Sequence, residues 1–362
     1  MVPRGARRVY EQEAAVTGVS SKPVVVILGA GRDEPPPGIE AVGDSVELRY
    51  APDGDALAVE LPHADAIFSW RTDPVWLPSV WPPPERLRWI QSASAGVDTL
   101  LFPGLIESDV VVTNARGVFE DPIAEWVIGA MLAFATGLHR SIVDQSRGVW
   151  DDHRHTRRLA GARLVVVGPG PIGHATATRA MGLGMSVAMV GRQPRTHETF
   201  GDVLGVGQLH RALADADHVL DALPSTEQTR GMFDAAAFGA MPARARFYNV
   251  GRGATVDEPA LVAALEAGTI AGAALDVFAT EPLPADSPLW TLPNVIVSPH
   301  VSGDVEGWER DLVSVFVENA RRFAAGEPLR NLIDKEAGHG VGGSHEAPNA
   351  PVRGLPRGPG RE

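Results

Sequence analysis

The feature that most constrains the fold is a glycine-rich loop that directly follows a run of aliphatic residues. Leu164-Val165-Val166-Val167 predicts a buried strand, and residues 168–173 have the sequence Gly-Pro-Gly-Pro-Ile-Gly before a helical stretch. In such a unit the first glycine allows a tight turn, the second lets the backbone approach a pyrophosphate, and the third allows close helix–strand packing. The helix N-terminus offers free N–H groups to the anion. The G-x-G-x-x-G pattern alone is weak, but this order of elements favours dinucleotide binding over a plain glycine-rich turn.

Short apolar runs alternate with helical patterns on both sides of this loop, which is typical of parallel sheets covered by helices. The runs before the loop predict five strands, at 24–28, 45–50, 66–69, 87–91 and 110–113. The runs from 164 onward predict six strands, at 164–167, 185–190, 218–223, 246–250, 272–277 and 295–298. Six is the number of strands in a doubly wound dinucleotide fold. The sequence therefore predicts an α/β protein.

A helix is predicted over 121–137, between the two sets of strands. Asp121 is placed to cap its N-terminus, and Pro122 suits the first turn, where a missing N–H costs nothing. Apolar residues recur along it at three- and four-residue spacing, so one face is apolar. The helix is long enough to bridge two domains.

The composition argues against several classes of protein. Acidic residues outnumber basic ones by 45 to 32, for a formal net charge of −13, which argues against a dedicated nucleic-acid binder. The chain has no cysteine, so disulfides, thiolate nucleophiles and cysteine-ligated metals are impossible. His153 and His155, with Asp151 and Asp152, form a cluster whose spacing matches no metal site, so no metal is predicted.

The apolar segments and the chain ends give expectations about location and order. The longest apolar stretch, 126–138, has 13 residues, short of the ~20 that a membrane-spanning helix needs. Residues 1–22 lack the apolar core of a signal peptide, so we expect a soluble cytoplasmic protein without a membrane partner. Residues 1–22 show no regular period, and 336–362 are rich in glycine and proline. We predict a flexible N-terminus and a disordered tail there.

The residues after the second strand of a dinucleotide fold select between NAD and NADP. An acidic residue there favours NAD, whereas arginine accommodates the 2′-phosphate of NADP. Strand 185–190 is followed by Gly191-Arg192-Gln193-Pro194-Arg195, which has two arginines and no carboxylate. Because guanidinium groups bind phosphate bidentately, we favour NADP over NAD; the alternative is that both arginines are solvated loop residues. The predicted cofactor-binding residues so far are Gly168, Gly170, Pro171, Ile172, Gly173, Arg192 and Arg195.

Polar residues follow three successive predicted strands of the second set. Arg252 follows 246–250, Glu281 follows 272–277 and His300 follows 295–298. The carboxyl ends of parallel strands share one edge of a sheet, so we expect these side chains to converge beside a nicotinamide. Each residue alone is more often a loop residue on the surface, and their order on three strand ends supports the hypothesis.

The three residue types suit the reduction of a ketone, which needs a hydride on carbon and a proton on oxygen. The cofactor supplies the hydride, and the imidazole of His300 can supply the proton near neutral pH. Glu281 would favour the imidazolium form of His300 and fix its tautomer. Arg252 can hold an α-keto carboxylate and polarise the adjacent carbonyl.

Several segments resemble the D-isomer-specific 2-hydroxyacid dehydrogenase family, and they occur in the family's order. The similarity runs from about residue 24 to 332, and the arginines after residue 190 resemble the NADP-using glyoxylate and hydroxypyruvate reductases. The matching segments are Ala-Gly-Val-Asp at 95–98, Thr-Asn-Ala-Arg-Gly at 113–117, Ala-Glu at 124–125, the glycine loop, 223–229, Asn-Val-Gly-Arg-Gly at 249–253, Leu-Asp-Val-Phe at 275–278, Glu-Pro-Leu at 281–283 and Pro-His at 299–300.

The resemblance implies two doubly wound parallel-sheet domains. A Rossmann dinucleotide-binding domain, 114–303, is inserted into a flavodoxin-like substrate domain made of 23–113 and 304–335. Arg252, Glu281 and His300 are implied as the catalytic residues, and a homodimer is implied, with residues 138–160 contributing to the contact. Further cofactor-binding residues implied by the resemblance are Leu223, Pro224, Thr229, Val250, Gly251, Asp276, Ser302 and Gly303.

On the substrate side, the resemblance implies that backbone amides around Ala95, Gly96 and Val97 hold the substrate carboxylate. Arg71 is a weaker substrate-binding candidate, and a surface arginine is an equally good interpretation of it. Asp276 is implied to lie near the nicotinamide carboxamide, although it could equally be a structural carboxylate of its loop.

The expected activity is hydride transfer between NAD(P)H and a small 2-keto acid such as glyoxylate or hydroxypyruvate. The alternatives are a non-catalytic NAD(P)-binding sensor or scaffold of the same fold, and another hydride-transfer enzyme acting on formate or phosphite. Two features depart from the family pattern. Pro169 and Pro171 each remove an N–H beside Gly170. Asp221 lies within a strand that should be apolar, where a buried carboxylate needs a partner that the sequence does not reveal.

Overall fold

The computed structural model describes residues 22–340 except 72 and 154. The expectations for 1–21 and 341–362 lie outside the described residues. The prediction that disorder begins at 336 is wrong for residues 336–340. There, strand β15 (His339–Gly340) pairs antiparallel with β14 (Ile333–Asp334), and the Asp334 carboxylate accepts hydrogen bonds from the N–H groups of Glu336 and Ala337. A turn fixed by a side-chain oxygen orders this glycine-containing segment.

Five parallel strands form the first sheet, in the order β2-β1-β3-β4-β5 of flavodoxin-like folds, and each lies within two residues of its prediction. β1 is buried along its whole length, as expected of a parallel strand covered on both faces. The strands are β1 (Val24–Leu28), β2 (Glu47–Ala51), β3 (Ala66–Ser69), β4 (Trp89–Ser92) and β5 (Val111–Thr113), and the helices between them are α1 (Gly54–Glu60), α2 (Trp76–Ser79) and α3 (Pro103–Glu107), with 3₁₀ turns at Ile39–Ser45 and Leu61–His63.

Eight strands form the second sheet. They are β6 (Arg163–Val167), β7 (Ser186–Gly191), β8 (Arg195–His197), β9 (Gly201–Gly205), β10 (His218–Asp221), β11 (Arg246–Asn249), β12 (Gly272–Leu275) and β13 (Val295–Val297). Their order is β13-β12-β11-β10-β6-β7-β9-β8, in which only β8 runs antiparallel to its neighbour. The chain order reverses beside β6, as in a Rossmann sheet, so ligands are expected at the carboxyl end of β6. The predicted fold class is confirmed.

The six strands predicted for this sheet are all present, but the sheet has eight strands, so the predicted number is wrong. β9 pairs in parallel with β7 and occupies the place of the third Rossmann strand, and β8 adds an antiparallel edge. The sequences of β8 and β9, Arg-Thr-His and Gly-Asp-Val-Leu-Gly, lack a run of β-branched or aromatic residues. Without that run they carry little strand signal.

Helices cover both faces of the second sheet. They are α4 (Glu120–Thr136), α5 (Leu138–Arg147), α6 (Pro171–Gly182), α7 (Leu209–Leu213), α8 (Ala235–Gly239) and α9 (Glu258–Glu266), with 3₁₀ turns at Val206–Gln208, Gly253–Thr255 and Pro288–Trp290. The apolar face of α4 packs with α6 and β6 in one core, through residues such as Val127, Met131 and Phe134. Within the described residues no single helix is long and apolar enough to cross a membrane, and only the pair α4–α5, bent by 66°, meets that length and composition together.

The predicted capping role of Asp121 is wrong. α4 begins at Glu120, and the Glu120 carboxylate accepts hydrogen bonds from the Gly117 N–H at 2.8 and 2.9 Å. Asp121 instead pairs with Arg179 of α6 at 2.9 Å. Glu120, and not Asp121, therefore binds the backbone N–H of the segment that precedes the helix.

The last helix, α10 (Trp308–Ala325), packs on the first sheet although the second sheet lies before it in the chain. The Phe316 ring stacks on Phe68 of β3 at 4.2 Å between centroids, and Trp89 of β4 lies against Phe323 at 5.2 Å. Each buried aromatic ring of this kind stabilises the fold by about 1.5–3 kcal/mol. These contacts support the division into 23–113 with 304–335 and 114–303, and those limits stay a prediction.

Candidate active site

The glycine loop joins the end of β6 to the start of α6. Gly168 has a φ of 101°, in the left-handed region that favours glycine, and a Cβ there would lie 2.6 Å from the Ala222 carbonyl oxygen. A Cβ at Gly173 would lie 2.4 Å from the Gly168 carbonyl oxygen, so glycine lets the helix approach the strand. A Cβ at Gly170 would meet none of the described residues within 4 Å. The loop therefore leaves open space before a helix N-terminus, which fits a pyrophosphate group. Pro171 and Ile172 form the first turn of α6.

The two predicted phosphate-binding arginines lie on the exposed edge of the second sheet. Arg192 directly follows β7, and Arg195 is the first residue of β8 rather than part of a loop. Both residues are exposed to solvent. The β8–β9 hairpin that sequence analysis missed therefore holds one of the two guanidinium groups beside the carboxyl end of β7.

Two histidines connect this hairpin to the glycine loop. The Nε2 atoms of His174 on α6 and His197 on β8 lie 3.1 Å apart. The Nδ1–H of His174 donates to the Gly170 carbonyl at 2.7 Å, because a carbonyl oxygen can only accept. His197 Nδ1 accepts from the Thr199 N–H at 3.1 Å, so its proton is on Nε2 and is donated to His174. The pair orients the hairpin relative to the loop that would hold the pyrophosphate.

The loops after β10 and β11 lie against each other. A Cβ at Gly251 would lie 2.6 Å from the Leu223 carbonyl oxygen, so the two backbones are in close contact. Val250 is buried beneath them. The Thr229 hydroxyl donates to the Pro224 carbonyl at 2.6 Å, so this side chain shapes its own loop. The structure thus places these five predicted cofactor-binding residues at the same sheet edge as the glycine loop.

His300 and Glu281 are hydrogen-bonded to each other at this edge. The His300 Nδ1 lies 2.8 Å from Glu281 Oε2, and half of the His300 side chain is exposed. The other Glu281 oxygen accepts the Phe278 N–H at 3.0 Å, which fixes the carboxylate. Because Nδ1 donates to Glu281, the exposed Nε2 is left for a substrate. His300 also has a φ of 57°, which is rare for a residue other than glycine.

Asp276 holds the loop that carries His300. Its carboxylate accepts hydrogen bonds from the Ser298 hydroxyl at 2.5 Å, the Val301 N–H at 3.0 Å, and both the N–H and hydroxyl of Ser302, at 3.1 and 2.5 Å. The donors lie on both sides of His300 along the chain, which accounts for its unusual backbone angle. The structure therefore favours the structural role of Asp276 over contact with a nicotinamide carboxamide. Ser302 is likewise engaged inside the loop, and Gly303 lies against the Phe119 ring.

Arg252 reaches from the second sheet to the loop after β4 of the first sheet. Its Nε donates to Asp98 Oδ1 at 3.0 Å, and its Nη2 lies so close to Gly96 that a Cβ there would be 1.6 Å away. About a quarter of the Arg252 side chain is exposed. The backbone of Gly253 contacts Phe278, whose N–H binds Glu281. Arg252 and the His300–Glu281 pair are thus connected through one turn of backbone.

The backbone N–H groups of Ala95, Gly96 and Val97 donate to no acceptor among the described residues. Asn114 holds this loop from below, because its side-chain amide donates to the Ala95 carbonyl at 2.6 Å. A carboxylate beside Gly96 would therefore meet backbone donors on one side and the Arg252 guanidinium on the other.

Arg71 lies at the rim of this cleft and is 71% exposed. Its guanidinium is 3.7 Å from Glu309 at the start of α10, too far for a strong hydrogen bond. Partial burial raises the pKa of the Asp304 carboxyl above its ordinary value; the nearby Asp276 and Glu309 add to the rise, and His300 opposes it. Glu309 thus lies between Arg71 and Asp304, which in turn lies near His300. Substrate binding by Arg71 stays a prediction.

Asp221 has partners that the sequence did not reveal. Its side chain is fully buried at the end of β10, and it contacts the Thr255 hydroxyl at 2.5 Å and accepts the Leu223 N–H at 3.0 Å. Asp98 is the other functional residue that sequence reasoning missed. It belongs to the quoted segment 95–98, but its pairing with Arg252 spans 154 residues of chain, so no local pattern could indicate it.

Comparisons with known proteins agree with this geometry. Residues 128–302 match the family model described as "D-isomer specific 2-hydroxyacid dehydrogenase, NAD binding domain". The glyoxylate reductase of Korarchaeum cryptofilum is 32% identical over 321 residues, which cover 84% of this chain and 95% of that protein. The chain belongs to the D-isomer-specific 2-hydroxyacid dehydrogenase family. The resemblance drawn from its motifs is confirmed, and the protein is an NAD(P)-dependent D-2-hydroxyacid dehydrogenase that transfers hydride.

Solved structures give the same result. The NADPH-dependent glyoxylate/hydroxypyruvate reductase of Sinorhizobium meliloti, in complex with NADP and sulfate, superposes with a TM-score of 0.75 at 28% identity, covering 88% of this chain and all of that one. A D-isomer-specific 2-hydroxyacid dehydrogenase of Xanthobacter autotrophicus, in complex with NADPH and MES, has a TM-score of 0.73 at 31% identity over 88% of this chain and all of that one.

Proposed function

We propose that this dehydrogenase reduces a small 2-keto acid of the glyoxylate or hydroxypyruvate class, with NADPH as the preferred cofactor. The observation that supports it best is the position of the His300–Glu281 pair and Arg252 at the same sheet edge, beside backbone amides of 95–97 that donate to no acceptor in the part of the chain that the structure describes. Relatives in the comparisons are named glyoxylate reductase and glyoxylate/hydroxypyruvate reductase. The Arg252 guanidinium beside Gly96 suits a substrate that carries a carboxylate.

Each residue has a defined task in this proposal. The guanidinium of Arg252 and the amides of 95–97 hold the substrate carboxylate and orient the adjacent ketone. The glycine loop at 168–173 would hold the cofactor, which when bound would supply the hydride for the ketone carbon. His300 Nε2 gives its proton to the ketone oxygen as negative charge develops there, and Glu281 stabilises the imidazolium before that transfer. A proton from solvent then restores the imidazolium.

The NADP preference rests on the two exposed arginines and on the absence of a carboxylate after β7. Arg192 and Arg195 can form charge-assisted hydrogen bonds with a 2′-phosphate, which an NAD ribose lacks. Three related structures contain NADP or NADPH. A carboxylate at this position would repel the phosphate, and none is present in 191–195.

The decisive experiment follows NADPH absorbance with glyoxylate, hydroxypyruvate, pyruvate and bulkier keto acids, in wild type and His300→Ala. We expect turnover of the small acids to fall by about 10²–10⁴-fold in the variant while NADPH still binds. His210→Ala, an exposed histidine on α7, is the matched control. Undiminished turnover by His300→Ala would remove His300 from the proposed role. Tight NADPH binding with no turnover of any acid would favour the sensor or scaffold alternative.

We also propose that the protein is a homodimer that associates through residues 138–160. None of the residues of α5 is buried, and apolar side chains project from α5 and the turn after it. Trp150 is 90% exposed and Ile142 59% exposed. Several exposed apolar side chains in one short segment favour an interface, whereas single ones scattered over a surface do not. The cytoplasmic location stays a prediction, which fractionation of the native cells would test.

A further inference from the structure

The carboxyl group of Asp221 lies directly behind the turn that carries Arg252. Asp221 ends β10, between Val167 of β6 and Asn249 of β11, and none of its surface is exposed. The proposed mechanism gives it no part. A buried carboxyl in such a place needs a stated hydrogen-bond arrangement, because an unpaired charge there would be costly.

The hydroxyl group of Thr255 makes two close contacts with oxygen atoms. It lies 2.5 Å from Asp221 Oδ2 and 2.6 Å from the Arg252 carbonyl oxygen. Both distances are those of strong O–H···O hydrogen bonds, so each contact needs one proton between its two oxygens. A threonine hydroxyl has only one proton to donate.

The two protons can be assigned from this count. A backbone carbonyl has no proton, so the Thr255 hydroxyl must be the donor to Arg252. The proton in the other contact must then come from Asp221. The remaining oxygen, Oδ1, accepts the Leu223 N–H at 3.0 Å, so both carboxyl oxygens are used.

We propose that Asp221 is a positioning residue that works as a neutral acid, whose O–H donates to Thr255, which in turn donates to the Arg252 carbonyl and holds the substrate-binding turn. This inference rests on the proposed role of Arg252. That carbonyl also accepts the Thr255 N–H at 3.1 Å and the Asn249 side-chain amide at 3.2 Å, so the hydrogen bonds that lead from Asp221 supply the shortest of three contacts among the described residues.

The surroundings of Asp221 favour the neutral form. Its neighbours Val167, Asn249, Thr255 and Leu223 carry no charge, and the guanidinium of Arg252 is turned away, toward Asp98. Burial raises the pKa of Asp221 to about 7. Above neutral pH the ionised carboxylate could only accept, so the Thr255 O–H would donate to Asp221 instead of to the Arg252 carbonyl. The hydroxyl oxygen would then face the Arg252 carbonyl without a hydrogen between them.

The test compares Asp221→Asn with Asp221→Leu. Asparagine can donate from its amide to Thr255 and accept from Leu223 as the neutral acid does, whereas leucine can do neither. We expect Asp221→Asn to keep kcat/KM for keto acid within about threefold of wild type below pH 7 and to lose less activity than wild type as the pH rises to 8.5. Asp221→Leu should raise KM for keto acid by about tenfold or more, with NADPH binding less affected.

Two further measurements test the proposal independently of Asp221→Leu. Thr255→Val removes the hydroxyl that joins Asp221 to the Arg252 carbonyl and leaves Asp221 itself unchanged, so we expect it to raise KM for keto acid as Asp221→Leu does. Thr255→Ser keeps a hydroxyl and should restore the wild-type KM. Both results can be obtained even if Asp221→Leu fails to fold. Infrared difference spectra across pH 5–9 should show a protonated carboxyl band in wild type that is missing in Asp221→Asn.

The outcomes separate the two proposals. Inactive wild-type protein would refute the reductase function, while the infrared band would still decide the protonation of Asp221. Two results would overturn the assignment of a neutral acid. The first is an active wild type whose Asp221→Asn variant is as impaired as Asp221→Leu. The second is a wild-type infrared spectrum that has the same carboxyl bands as the spectrum of Asp221→Asn.

Discussion

Replacing Gly96 by alanine should separate activity from stability. The new Cβ would lie 1.6 Å from Arg252 Nη2 and 2.7 Å from Cζ, far inside contact distance, whereas the backbone at Gly96 does not have the positive φ that alanine avoids. The clashing atoms are the far end of a flexible side chain. The guanidinium must therefore move away by about 2 Å, and the backbone can stay where it is.

The expected magnitudes follow from that displacement. Misplacing a substrate-positioning group by about 1 Å can cost about 10²-fold in rate, so kcat/KM for a 2-keto acid should fall by at least that factor, or about 2.7 kcal/mol in transition-state stabilisation. Stability should change little or rise by about 0.4–1 kcal/mol, because alanine restricts the unfolded chain. The protein should be folded, NADPH-binding and nearly inactive.

The assay combines steady-state reduction of glyoxylate, urea unfolding and NADPH fluorescence. Gly207→Ala is the matched control, because a Cβ there would meet none of the described residues within 4 Å and its φ is not positive. Wild-type kcat/KM in Gly96→Ala would show that Arg252 is not needed beside Gly96. A loss of stability of several kcal/mol would show that the backbone, and not the side chain, absorbs the clash.

Three other perturbations follow from the structure. Replacing Arg192 and Arg195 by serine should raise KM for NADPH by about 10–100-fold and leave KM for NADH within twofold, with Arg211→Ser on α7 as control; equal effects on both cofactors would contradict the 2′-phosphate role. Burial lowers the pKa of His218 to about 4, so as the pH drops this residue is protonated in the unfolded chain before it is protonated in the folded protein. The free energy of unfolding should therefore fall by about 3 kcal/mol between pH 6.5 and pH 4. Urea unfolding of His218→Leu should show a shallower slope in that window, and an unchanged slope would refute the assignment. Trp150→Ala should weaken dimerisation by about 2 kcal/mol or more in sedimentation, and an unchanged dissociation constant would place the turn after α5 outside the interface.

The parts of the site that were predictable are those set by local pattern. Gly168 is needed for its positive φ and Gly173 for the approach of the Gly168 backbone five residues earlier, and the spacing of the motif indicates both. Arg252, Glu281 and His300 could be placed at one edge because each follows a parallel strand. Strand positions were predictable to within two residues, since buried parallel strands are continuous apolar runs.

The parts that were not predictable depend on contacts between distant residues or on weak local signals. Asp98 meets Arg252 across 154 residues, and Thr255 meets Asp221 across 34. The β8–β9 hairpin is short and polar, so its pairing with β7 comes from tertiary context. Asp276 illustrates a different limit: the sequence left two roles open, and only its four hydrogen bonds within the His300 loop favour one of them.

The return of α10 to the first sheet has a consequence for synthesis on the ribosome. When residues up to 113 have emerged, Phe68 and Trp89 still lack Phe316 and Phe323, which follow them by 248 and 234 residues in the chain. The second sheet contains its own core and can form while the first sheet still lacks the helix that covers it. We therefore expect the later-synthesised sheet to become protease-resistant first on stalled nascent chains, and release of the C-terminus to complete the earlier one.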